Sequence, residues 1–144
     1  MNTSKPNTLY WIIATIALLW NLMGLYFFVN ENFLMTEEVL AAMPEANRNL
    51  IANAPEWGPV VYGIATVGGV LASICMLMRR KLQIPLFLIS LLAIVVQMGY
   101  GWIVQKSAEV LEPGMGIILP ALVVVFALFF FFYSKRIVKK EWLG

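Results

Sequence analysis

The sequence predicts an all-α membrane protein: a four-transmembrane-helix bundle with short amphipathic helices in the first extracytoplasmic loop. Three observations carry that prediction. Four apolar runs, at 9–29, 59–78, 82–104 and 115–134, reach the ~20 residues a helix needs to cross a bilayer. Three adjacent cations, Arg79, Arg80 and Lys81, stand between the second and third runs and must stay in water. The remaining charges separate by sign, acidic in the loop 30–58 and basic in the tail after position 134. Only 12% of residues are charged and 61% are hydrophobic, against ~25% charged in soluble domains, so the 144 residues make one membrane domain with no separate soluble one.

Taken in order, residues 1–7 are polar with one cation, Lys5, and the first span follows with Tyr10 and Trp11 at its start. That apolar run is longer than a signal-peptide core and no small-residue cleavage site follows it, so an uncleaved span is expected. Tyr10, Trp11 and Tyr26 are assigned to the aromatic belts at the two water interfaces. The loop 30–58 carries Glu31, Glu37, Glu38, Glu45 and Glu56 against Arg48 alone. Thr36 ahead of Glu37 and Glu38 predicts an N-cap with anions in the first turn. Pro44 disfavours helix at Met43 but suits the start of another, so two short helices, broken there, are expected over 37–43 and 45–53. Val39, Leu40, Met43, Leu50 and Ile51 give them an apolar face, to serve as an interfacial cover or as a lid.

Residues 55–59 turn the chain back into the second span, where Ala65, Gly69 and Ser73, thickened by Gly68 and Ala72, form a stripe that lets another backbone come close. The third span has Pro85 in its first turn, where a missing N–H costs little. A short slightly acidic loop, 106–114, leads to the last span, which Pro120 interrupts. The tail holds Lys135, Arg136, Lys139 and Lys140, with Trp142 and Leu143 placed to dip into the membrane. If the helix continues past Ser134, Arg136, Lys139 and Lys140 share one side and Val138 and Trp142 another. Arg79, Arg80, Lys81 and the four tail cations are the candidate lipid-headgroup contacts. Under the positive-inside rule both basic segments and both termini are cytoplasmic, the loop 30–58 is outside, and the address is the inner (plasma) membrane.

Composition also excludes. A net charge of +2, gathered at two membrane-flanking places, gives nucleic acid no surface. The chain has no histidine and a single cysteine, Cys75, so no internal disulfide is possible and the usual metal, haem and iron–sulfur ligand sets are missing. No cofactor is expected. No span holds an acid or base away from its ends, which removes the usual markers of proton relays and of hydrolase chemistry within the membrane. An enzyme would have to use the loop glutamates, and Glu37 and Glu38 read as capping residues.

Uncharged polar positions remain. Counted from span centres, Asn21 and Thr66 lie about two residues, and Gln97 and Pro120 about four, towards the loop side. Pro120 leaves the Gly116 carbonyl without its helical N–H. Ser73 and Ser90 lie in the other half, where a hydroxyl can bond back to its own helix. Asn21 and Gln97 either tie helices together, with each other or with neighbours, or line a polar vestibule with Thr66, Tyr100 and Pro120, walled by Tyr26, Tyr62 and Trp102 and roofed by the loop helices. Amide and aromatic groups together suit an uncharged, hydroxyl-rich ligand. A short echo between Asn21-Leu-Met-Gly-Leu-Tyr26 and Gln97-Met-Gly-Tyr100 suggests a two-plus-two repeat with the amides across a pseudo-twofold axis.

The segments Trp20-Asn21-Leu22-Met23-Gly24, Met35-Thr36-Glu37-Glu38, Met43-Pro44-Glu45, Arg80-Lys81 and Gln97-Met98-Gly99-Tyr100 resemble, over nearly the full length, a family of small uncharacterised bacterial four-span membrane proteins. Its members often bear a sugar-transporter label, and the resemblance implies that substrate class without a binding motif. Three functions of different class follow. The expected one is a non-enzymatic interaction or accessory subunit, forming a homo-oligomer or attached to a larger membrane-protein partner. The alternative is a small transporter of an uncharged solute such as a sugar. The third is a lipid-interacting enzyme using loop carboxylates.

Overall fold

The computed structural model describes residues 5–140, so Trp142 and Leu143 lie outside the described residues, as does the side chain of Lys139. The fold is an all-α bundle of four long apolar helices. The chain runs α1 (Thr8–Phe33), α2 (Glu37–Ala42), α3 (Glu45–Ala52), α4 (Gly58–Leu77), α5 (Gln83–Gly99), α6 (Ser107–Val110) and α7 (Leu119–Ile137). A π-helical turn, Tyr100–Val104, prolongs α5, another, Gly114–Ile118, precedes α7, and a 3-10 turn, Val138–Lys140, follows it. Helix therefore continues past Ser134, three residues beyond the expected end of the span within α7 and on through the 3-10 turn.

Local chemistry sets the ends. The Asn7 side chain accepts from the Tyr10 N–H at 3.0 Å and starts α1. This helix runs four residues beyond the expected stop at 29: Asn30, Glu31 and Asn32 are polar but not helix-breaking, and Asn32 bonds back to the Phe28 carbonyl at 2.9 Å. Thr36 caps α2 through the Val39 N–H, and the chain breaks at Pro44 before α3. Pro120 has no N–H to donate, and the turn before it widens so that the Leu119 N–H meets the Gly114 carbonyl, five residues back.

The basic triplet is a tight helix end. The Arg79 N–H bonds to the Met76 carbonyl at 3.1 Å and the Arg80 N–H to the Cys75 carbonyl at 2.8 Å, the paired bonds of a Schellman cap. Arg79 itself holds φ 58°, the left-handed conformation that glycine usually supplies there.

Packing follows chain order, α1 on α4, α4 on α5 and α5 on α7. Small residues make α4 the central member. Gly24 faces the Thr66 methyl, Gly69 lies under Asn21, and Gly68 meets Ser90 on the other side. Larger rings close the ring of helices between α1 and α7, with Trp20 and Phe126 4.6 Å apart. The buried residues of α1 are Tyr10, Ile13, Ala14 and Ala17, those of α5 end at Ile94, and those of α7 begin at Ala127. The buried residues of α1, α5 and α7 thus lie in the half nearer the basic triplet, those of α4 extend further, from Met76 to Ala65, and α2 and α3 sit at the loop end.

Candidate functional site

The polar side chains that join the spans concentrate at the basic end, not in the loop half where counting from span centres put them. Tyr10 and Gln83 are both 0% exposed. The Tyr10 hydroxyl donates to the Met76 carbonyl, the same oxygen that takes part in the Schellman cap. Gln83 donates to the Arg80 carbonyl at 2.9 Å and to the Tyr10 oxygen at 3.5 Å, and its own Oε1 accepts from the Ser134 hydroxyl at 2.9 Å. All four spans meet there. Both amide protons of Gln83 are used, and among the described residues no buried side-chain polar atom is left without a partner. Tyr10 is therefore a core residue, not the interfacial belt its place near the helix start suggests. Gln83 had no signal beyond being an amide at the second position of an apolar run.

At mid-depth, Asn21 does not meet Gln97. Its amide donates to the Ala17 carbonyl at 2.8 Å and to the Ser73 hydroxyl at 3.2 Å, while its oxygen lies over Gly69. Ser73 bonds back to Gly69 as expected, but Ser90 does not bond within its own helix. It crosses to the Ala65 carbonyl at 2.6 Å, an approach that Gly68 permits. Between Asn21, Ser90, Phe87 and Phe130 the bundle axis retains a cavity of ≈ 10 Å³. That volume holds one water at most.

The loop end is open. A cleft of ≈ 370 Å³ lies between α3, the end of α1, the start of α4 and the end of α5, and Gln97 and Tyr100 line it together with Glu31, Asn47, Trp57, Tyr62 and Gln105. Glu31 near the end of α1 and Tyr62 near the start of α4 face the same cleft. Trp57 meets Tyr100 edge to face at 5.0 Å, and Phe28 meets Tyr62 in the same way at 5.2 Å. Gln105 ties the π turn to α3 by donating to the Leu50 carbonyl at 3.3 Å, so the cleft is roofed by α3 as a lid or cover would be.

Only part of the expected vestibule assembles there. Thr66 bonds to the Tyr62 and Gly63 carbonyls of its own helix. Tyr26 is 62% exposed and outside the cleft, and Trp102 donates its indole N–H to the Gly116 carbonyl at 2.7 Å. That carbonyl is the one Pro120 deprives of its helical partner, so Pro120 acts on a helix junction instead of lining the cleft. From Tyr62 to Ser73 is 73 − 62 = 11 residues, ~16 Å of helix rise, so Asn21 and Gln97 occupy different levels and are not repeat-related partners.

No family model, curated protein or solved structure matches this chain.

At the basic end Arg80, Lys81, Lys135, Arg136 and Lys140 are exposed, and Arg79 is half-buried against the turn. Lys135 lies over the Phe131 ring at 5.6 Å. Ile137 is buried and Val138 half-buried while Arg136 faces outward, so the helix end is two-sided. Among the described residues no three of His, Cys, Asp or Glu converge.

Proposed function

We infer that this chain acts as a non-enzymatic interaction or accessory subunit of the membrane, as a homo-oligomer or on a larger membrane protein. The observation that carries this reading is the closed bundle axis, with a central cavity of ≈ 10 Å³ beneath which all four spans are tied through Tyr10, Met76, Gln83 and Ser134. Among the described residues, a space of that size holds no solute larger than water, which favours a role other than passage through one copy. In vesicles the purified protein is expected to pass uncharged solutes no faster than lipid alone, and in mild detergent to run as a discrete oligomer. Saturable uptake by a monomer would overturn the reading.

The open cleft favours a second reading, a small transporter of an uncharged solute such as a sugar, in keeping with the resemblance to the four-span family. It would bind at Gln97 and Tyr100 and would have to break the Tyr10–Gln83–Ser134 bonds to release solute at the basic end.

Orientation follows the charges. Arg79, Arg80, Lys81, Lys135, Arg136, Lys139 and Lys140 lie at the cytoplasmic headgroups of a bacterial inner membrane, and α2 and α3 lie outside. An Ala41→Cys variant lacking Cys75 is expected to react with an impermeant thiol reagent added outside intact spheroplasts. Labelling only after the membrane is opened would invert the topology.

A further inference from the structure

The loop-end cleft has walls of a particular chemistry. Three aromatic side chains, Trp57, Tyr62 and Tyr100, line it, and among its described lining residues Glu31 carries the one charge. A neighbouring cavity of ≈ 560 Å³ shares Leu50, Tyr100 and Gln105 with it, and there the one charged lining residue is Glu45. No lysine or arginine lines either space among the described residues. The loop above adds Glu37, Glu38 and Glu56 against Arg48 alone, so the field over the opening is negative. An edge-to-face ring pair occupies one face of one ring only, and Trp57 and Tyr100, paired in this way, both line the cleft. The volume of ≈ 370 Å³ falls within the ~300–1,000 Å³ of small-ligand sites.

We propose that this cleft binds an organic ammonium group, held over the faces of Trp57 and Tyr100 with the Glu31 carboxylate as its counter-charge. Aromatic faces attract a cation through the ring quadrupole, and a carboxylate with no basic neighbour adds a net attraction that an uncharged ligand does not receive. Gln97, Asn47 and Gln105 supply hydrogen bonds to the hydroxyl or ester oxygens that accompany biological ammonium groups. The source is either a free amine or the headgroup of a phospholipid in the leaflet around the cleft. The assignment stands apart from the subunit reading, since a closed bundle and a passage-forming one can both carry it.

Calorimetric titration of the full-length protein in phosphatidylglycerol nanodiscs tests it, with choline, its uncharged carbon isostere 3,3-dimethyl-1-butanol, and glucose. Choline is expected to bind saturably and the isostere at least ~10-fold more weakly. Glu31→Gln keeps the side chain's size and should weaken choline roughly 10-fold, whereas Tyr100→Leu should weaken it about 3- to 30-fold and Tyr100→Phe should retain it. Phosphatidylcholine nanodiscs separate the sources. A fall in apparent choline affinity there assigns the site to the lipid headgroup, and an unchanged affinity assigns it to a free cation. No choline binding in phosphatidylglycerol, equal binding of isostere or glucose, or a Glu31→Gln variant with undiminished affinity would overturn the proposal.

Discussion

Replacing Gln83 by leucine is expected to destabilise the bundle by roughly 2–3 kcal/mol, although the change is apolar and lies in an apolar helix. Leucine nearly matches glutamine in size, so little packing is lost. What disappears is the acceptor for Ser134 and the donors to the Arg80 carbonyl and the Tyr10 oxygen, all in a place shut off from water. Interhelical hydrogen bonds in membranes average ~0.6 kcal/mol and reach ~1.7, and here two helix-joining bonds and one turn-closing bond go together. Ser134→Ala alone should cost about 1 kcal/mol, and the double variant no more than Gln83→Leu, because the hydroxyl has already lost its partner. Reversible unfolding in mixed micelles measures all three. A Gln83→Leu cost below ~0.5 kcal/mol, or simple addition in the double variant, would mean that the four-span junction contributes little.

Gly116→Ala is expected to cost about 1–3 kcal/mol, while Gly99→Ala is neutral or stabilises by up to ~1 kcal/mol. A Cβ at position 116 would stand 2.6 Å from the Ser107 carbonyl oxygen and 3.2 Å from the Ala108 Cα. Both are backbone atoms of α6, which cannot swing aside as a side-chain tip can. A Cβ at position 99 meets nothing within 4 Å and gains helix propensity. The strain at 116 falls on the junction where the Gly116 carbonyl accepts the Trp102 indole, so amide exchange over 107–118 should quicken in that variant. Equal stabilities of the two variants, with exchange unchanged, would show that α6 yields freely.

Local rules reach far in this chain. Thr36 caps, Pro44 breaks, and Pro120 releases the Gly116 carbonyl because each effect spans a few residues of one segment. The loop-end cleft was half legible. Gln97, Tyr62 and Tyr100 could be gathered by depth, and depth is countable at ~1.5 Å per residue. Glu31 was hidden, since the expected helix stopped two residues short of it and left it among loop acids. Tyr26 and Trp102 were at the right depth and still do not line the cleft, because direction around the helix axis is set by neighbours.

By itself the sequence determined the four spans, their breaks, the small-residue stripe of α4 and the separation of charge between the two ends. The tertiary structure alone decided which polar groups meet: Asn21 with Ser73, Ser90 with the Ala65 carbonyl, and Gln83 with Tyr10 and Ser134. The reason is physical. In a soluble helix the apolar stripe marks the buried face, but a spanning helix is apolar towards lipid and protein alike, so hydropathy measures depth and carries no direction around the axis. That direction comes from close packing, where Gly69 admits Asn21 and Gly68 admits Ser90, and such fits exist only once the helices stand side by side.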